Sequence, residues 1–331
     1  MSSPLWTTDV PRALITGITG QDGRYLTEKL LELGWDVHGV VREGDTEIRH
    51  LPESVPKESL HFGDLSNSYR VQEIVDAVQP DNIFNLGGIS SVALSWQQPL
   101  MTVEVTGLGA AAVLEAAWQL QERSGRQVRV LQASSAEIFG SPCESPQTEL
   151  TPIRPSTPYG AAKSLAHHLV SVYRGRGLFA SSVILYNHES PRRPETFVTR
   201  KITSSVARIA AGKQDHLTLG NLEARRDWGW APDYVDAIYG TISAEIADDF
   251  VVATGVAHSV RDFVAAAFSH AGIADWESLV SSDSQFTRSG DAPELVGDAT
   301  KARERLGWRP ATTFAEIVGR MVDHDIELLN A

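Results

Sequence analysis

The chain has 331 residues, 42% hydrophobic and 21% charged, a length and balance that hold one large globular domain or two smaller ones sharing a long core. Its formal net charge of -13 argues against a general binder of nucleic acid or of anionic membranes, so an anionic ligand would need a local basic site. Cys143 is the single cysteine, which excludes an internal disulfide and a cysteine metal cluster, and no metal site is expected.

In chain order, the opening MSSPLWTTDVPR lacks a signal peptide's charged start and apolar centre. No apolar run approaches the ~20 residues of a spanning helix, so a cytoplasmic protein without a membrane partner is expected. RALITG then reads as a strand, QDGRYLTEKLLELG as a helix ending at Gly34, and WDVHGVVR as a second strand. LHFGD (60–64) is a short strand, SYRVQEIVDAVQ a helix and NIFNLGG (82–88) a strand. MTVEVTGLGAAAVLEAAWQLQERSG predicts a long helix rich in small residues, and VRVLQASS (128–135) a strand. YGAAKSLAHHLVSVYRGRG (159–177) reads as a helix and FASSVILY (179–186) as a strand. This alternation predicts an α/β fold, a doubly wound parallel Rossmann sheet.

After residue 186 the rhythm changes. Loop covers much of 187–200, a helix about 199–212, and WGWAPDYVDAIYGTISAEI is expected to resume helix. FVVATG (250–255) looks like a late strand of the sheet, and the tail is mostly helical with a last helix from about 313. The expectation is a dinucleotide-binding domain over 11–186 plus about 231–257. A smaller, discontinuous C-terminal substrate domain would take 187–230 and 258–331, with the cleft between the two.

The chemistry-bearing motifs fall at the ends of these elements. ITGITGQDG sets Gly17, Gly20 and Gly23 three apart between strand and helix, where a tight turn lets a pyrophosphate approach the helix N-terminus. Beyond the second strand Arg42 suits a 2′-phosphate, hence NADP, although Glu43 beside it is unfavourable and NAD stays possible. Asp64 stands where an adenine amine could be bound, or is an ordinary helix cap. Tyr159 and Lys163 are four apart on one helix, so a lysine ammonium can stabilise a phenolate that removes a proton from an alcohol. Ser135 and Glu137 are two apart after the QASS strand and in extended chain share a side. The serine can hold a substrate alcohol, and the glutamate can take a carbon-bound proton and return it to a leaving hydroxide.

GITGQDG, QASSAEIFG, TPYGAAK, NHESPRRPETFVTRKI, LGNLEARRDWGWAPDYVDA and GDATKARERLGW together resemble the GDP-mannose 4,6-dehydratases, a branch of the extended short-chain dehydrogenase/reductases. The likeness runs from about residue 12 to 325. It implies conversion of GDP-mannose to GDP-4-dehydro-6-deoxy-mannose with tightly held NADP as a recycled hydride carrier. By position it implies catalysis by Ser135, Glu137, Tyr159 and Lys163. It assigns Thr19, Gln21, Asp22, Leu65, Leu86, Gly87, Gly88, Ser90, His188 and Arg193 to the cofactor, beside the residues already named. It assigns Asn187, Val198, Lys201, Arg226, Arg288 and Asp291 to a nucleoside-diphosphate sugar, GDP-mannose before others. The departures carry expectations of their own. Gly87 and Gly88 replace larger residues and should loosen the wall near the nicotinamide, and Trp230 replaces a histidine. REGDTEIRHLPES replaces the arginine–serine loop that builds a tetramer, which leaves a homodimer paired through the helices at 101–123 and 159–177. The alternative is a nucleotide-sugar epimerase or reductase, which needs Tyr159 and Lys163 but not Glu137.

Overall fold

The computed structural model describes residues 10–283 and 294–330. The strands come in the order β1 (Arg12–Thr16), β2 (Asp36–Val41), β3 (Leu60–Phe62), β4 (Asn82–Asn85), β5 (Arg129–Ser135) and β6 (Phe179–Leu185). Between them lie α1 (Gln21–Glu32), α2 (Ser68–Val78), α3 (Val92–Gln97), α4 (Pro99–Thr102), α5 (Gly109–Ser124) and α6 (Pro158–Gly175). The later elements are β7 (Asn187–Glu189), α7 (Val198–Ala210), β8 (Leu217–Leu219), β9 (Arg225–Trp230), α8 (Ala231–Ile242) and β10 (Asp249–Val252). They are followed by β11 (Ala257–Ser259), α9 (Val260–His270), β12 (Val280–Ser282), β13 (Glu294–Leu295), α10 (Thr300–Leu306) and α11 (Phe314–Asn330).

The main sheet runs β10-β6-β5-β4-β1-β2-β3, and every pair is parallel. β1 connects onward to β2 on one side and its neighbour β4 to β5 on the other, which opens a crevice at the carboxyl ends of β1 and β4, where α/β sheets bind ligands. Helices cover both faces, so β5 and β6 are buried along their whole length, polar residues such as Gln132 and Ser182 included. Leu26, Trp35, Tyr234 and Ile238 pack one face, and Ile74, Leu114 and Val170 the other. A third cluster joins Ile202, Leu217, Trp228, Phe263, Ile317 and Met321, from both later stretches of the chain. Leu295, Ala299, Ala302 and Trp308 pack instead with the first.

Besides the short strands β7, β8, β11, β12 and β13, which the sequence reading did not contain, two stretches differ from it. WGW is the end of strand β9, not helix: Trp228 is buried against Phe263, and Pro232, which fits only a first turn, starts α8. Pro99–Ser124 forms one helical run, with a π-helical turn at Val103–Leu108, that is long and apolar enough to cross a membrane by length and composition alone. Half of its most apolar stretch is buried inside the protein.

Candidate active site

The glycine-rich turn leaves β1 as the sequence predicts. Gly17 takes φ +71°, and a Cβ there would lie 2.9 Å from the Gly87 backbone. A Cβ on Gly23 would lie 2.3 Å from the Gly17 carbonyl oxygen. Gly20 caps α1 with no side chain bonded to the first-turn N–H groups, a disposition open to a phosphate. Gly87 corrects one expectation. Its N–H donates to Thr16 Oγ1 at 3.0 Å, and a Cβ would meet Leu65 Cδ1 at 2.7 Å, so the glycine closes a tight contact and does not loosen the wall. A Cβ on Gly88 would likewise lie 3.1 Å from Thr106 Oγ1.

Around this turn Thr19 Oγ1 donates to Asp45 Oδ2 at 2.8 Å, a carboxylate that sequence reasoning passed over. Its signal was a position 22 residues beyond Gly23, the usual distance for a ribose-binding acid. Arg42 is exposed just past β2. Asp64 accepts from Ser66 N and Oγ at 2.9 and 2.7 Å, bonds that hold its carboxyl below the ordinary value, so it caps a turn in this structure. Leu65 beside it is buried.

The chemistry gathers where β5 meets α6. Ser135 ends the strand and accepts from the Glu137 N–H at 3.3 Å. The expected extended alternation stops there: Ala136–Phe139 is a 3-10 turn, and it is this turn that brings Glu137 back to line the cleft with Ser135. Thr157 caps α6 through the Gly160 N–H at 2.9 Å, setting the helix so that Tyr159 and Lys163 enter the same cleft. Burial pushes the Tyr159 hydroxyl up to about 12, with the Glu137 charge adding to it, while a hydrogen bond with Ser135 and the Arg193 charge pull the other way. Burial pulls the Lys163 ammonium down to about 8. Lys163 Nζ donates to the Ala133 carbonyl at 2.8 Å and lies 5.8 Å from the centre of the Tyr159 ring.

The cation-rich stretch after β6 is largely satisfied within the protein. Arg192 reaches Glu28 at 2.7 Å and stacks over Tyr25. Arg193 is held by Glu189 at 3.0 and 3.3 Å and donates to the His188 carbonyl at 2.9 Å. Arg200 pairs with Asp325 of α11, and Lys201 Nζ donates to the Thr218 carbonyl at 2.7 Å. The two ring nitrogens of His188 face the Tyr186 carbonyl at 2.7 Å and the Asp22 carboxylate at 2.9 Å, which hold the ring between the two. Burial alone would raise the Asp22 carboxyl, but the His188 bond and the charges of His188 and Arg193 hold it below its ordinary value. Gln21 Nε2 donates to the His188 carbonyl at 3.1 Å, fastening the loop to the start of α1.

The cleft therefore joins Asp22, Leu86, Ser90, Ser135, Glu137, Tyr159, Lys163, Asn187, His188, Arg193, Val198 and Arg226. Lys201 is not among its lining: its ammonium turns to β8. Arg288 and Asp291 lie outside the described residues. Sequence reasoning missed Glu189, whose pairing with Arg193 no helical spacing signals in a stretch broken by Pro191, and Trp228, which lines the cleft from β9.

A family model described as GDP-mannose 4,6 dehydratase matches residues 14–321. The chain belongs to the GDP-mannose 4,6-dehydratase family. It is 44% identical to GDP-mannose 4,6 dehydratase 1 of Arabidopsis thaliana, over 96% of this chain and 90% of that one. It is 42% identical to GDP-mannose 4,6 dehydratase of Homo sapiens, over 96% and 92%. The fold is similar to that of the UDP-glucose 4-epimerase of Thermus thermophilus solved with NAD, at a TM-score of 0.82, 27% identity and coverage of 95% and 98%. In this dehydratase-family chain the crevice lies at the carboxyl edge of the parallel sheet, beside the glycine turn.

Proposed function

We propose that the chain is a nucleotide-sugar 4,6-dehydratase, a hydro-lyase that converts GDP-mannose to GDP-4-dehydro-6-deoxy-mannose. The observation that carries this reading is Glu137 in one cleft with Ser135, Tyr159 and Lys163, since oxidation alone needs no carboxylate. The turn at Gly17 and the open N-terminus of α1 fit a dinucleotide: a side chain at Gly17 would fill the space by Gly87. A bound nicotinamide dinucleotide would supply a hydride acceptor for C4 and a hydride donor for C6. Tyr159, hydrogen-bonded to Ser135, takes the proton of the 4-hydroxyl. The C4 ketone acidifies the C5 proton, which Glu137 removes and gives to the departing 6-hydroxyl as water; C5 takes up a proton again as C6 is reduced, which balances the proton that Tyr159 took from the 4-hydroxyl. Arg226 and Asn187 line the same cleft, and we assign them to the sugar nucleotide.

NADP is the form we assign. Arg42 is exposed beyond β2 and able to meet a 2′-phosphate, whereas both oxygens of Asp45 are engaged, by Thr19 and by the Glu47 N–H at 3.0 Å. Arg42→Ala should weaken NADP more than NAD in titrations; equal weakening of both removes Arg42 from the phosphate site. The reading as a whole is tested with GDP-mannose and catalytic cofactor. Steady formation of a product one water lighter, without net reduced cofactor, is expected. Net reduced cofactor, or an isomer of unchanged mass, would replace the dehydratase by an oxidoreductase or an epimerase.

A further inference from the structure

We propose that Gln132 is a positioning residue for Lys163, acting through the Ala133 carbonyl from the end of a buried hydrogen-bonded chain. It rests on the role of Lys163 in serving Tyr159. On the face of the sheet covered by α2, α5 and α6, Leu14, Ile83 and Val130 form an apolar row in register across β1, β4 and β5. The next row towards the cleft is Thr16, Asn85 and Gln132, also in register and each only 1% exposed. Three polar side chains in a sheet face are costly unless every group is satisfied. Here the Gly87 N–H donates to Thr16 Oγ1 at 3.0 Å, and Thr16 to Asn85 Oδ1 at 2.6 Å. Asn85 Nδ2 donates to Gln132 Oε1 at 2.6 Å, and Gln132 Nε2 to the Ala133 carbonyl at 2.9 Å.

The direction of this chain is fixed by its end. Ala133 offers a carbonyl, which only accepts, so Gln132 must present its NH₂ there and its oxygen to Asn85. Asn85 must then present its NH₂ to Gln132 and its oxygen to Thr16, whose hydroxyl therefore donates. The Ala133 carbonyl has two lone pairs: Gln132 fills one, and Lys163 Nζ the other at 2.8 Å. Gln132 thus limits how strongly the carbonyl holds the ammonium and fixes the carbonyl itself. The far end of the chain holds Gly87 against Gly17, so the cofactor turn and the lysine anchor are parts of one rigid row.

The test uses Gln132→Leu and Gln132→Met, whose unbranched side chain refills more of the amide's space should the leucine variant fail to fold. In both, the carbonyl loses its competing donor and holds the ammonium more strongly. The alkaline limb of the kcat profile should move up by about half a unit to one unit in both. kcat should fall about tenfold or more, with KM and the dinucleotide dissociation constant within about twofold, as for a displaced catalytic group. A limb that stays in place in both variants, or a loss carried by KM, would overturn the role of Gln132 and leave it a packing residue. Lys163→Met is the control. If it retains full activity, the catalytic reading of Lys163 fails, whatever the Gln132 variants do.

Discussion

Lys163 and Tyr159 have been moved in opposite directions by the same cause, burial in one cleft. Lys163 falls to about 8 and Tyr159 rises to about 12. The lysine shift has a consequence for stability with a definite sign. Unfolded, the ammonium titrates near 10.5, so between about 8 and 10.5 the unfolded chain binds more protons and stability from this group rises with pH. The cost of the buried ammonium is fully present below about pH 8. Lys163→Met should therefore abolish turnover yet raise the melting temperature at pH 7, with the gain shrinking by pH 10. A gain that does not depend on pH would mean the effect is packing and not charge. Glu137→Gln should keep the fold and the dinucleotide but lose elimination by about 10²-fold or more. Near-normal product from that variant would take Glu137 out of the mechanism.

At the level of elements, the helices that carry the site have a second face turned outward. Leu100, Met101 and Leu108 on the Pro99–Ser124 run, and Leu165 and Val172 on α6, are large apolar side chains left exposed. The two helices pack side by side, with Gly107 close to Leu165, so their outer faces form one strip. We propose that this strip meets its two-fold copy in a four-helix contact, giving the homodimer expected from the sequence. Leu108→Glu with Leu165→Glu should yield a folded monomer by light scattering at micromolar concentration. Unchanged mass in that variant would place any interface elsewhere. The strip also explains why the long helix reads as membrane-like by composition: one face is sheet core, the other an apolar surface.

On the scale of the whole molecule, the loop between sheet and cleft is anchored from afar. Arg200 pairs with Asp325 of the last helix and donates to the carbonyls of Pro191 and Arg193, so α11 fixes the loop that carries Arg193. The pair is nearly fully buried, and removing one partner leaves a buried charge, a loss of about 3–5 kcal/mol. Arg200→Met should lower the melting temperature accordingly and weaken substrate binding, and Arg200→Met with Asp325→Leu should restore much of the stability. An Arg200→Met protein as stable as the parent would show the tie to be incidental. This tie marks the limit of sequence reasoning. Ser135 and Glu137 were picked out on an extended spacing that the 3-10 turn at Ala136–Phe139 replaces, whereas the strand and helix alternation, the glycine turn and the Tyr159–Lys163 pair were legible, because each is set by spacing along a few neighbouring residues. Short strands such as β7 and β8 were not, because three residues hold only through partners from distant parts of the chain. Nor could the sequence say which cations were spare. Arg192, Arg193 and Arg200 look like a phosphate-binding cluster, yet Glu28, Glu189 and Asp325 approach them in space. Charge along a chain depends on composition alone, whereas its neutralisation depends on three-dimensional distance, which only the folded structure decides.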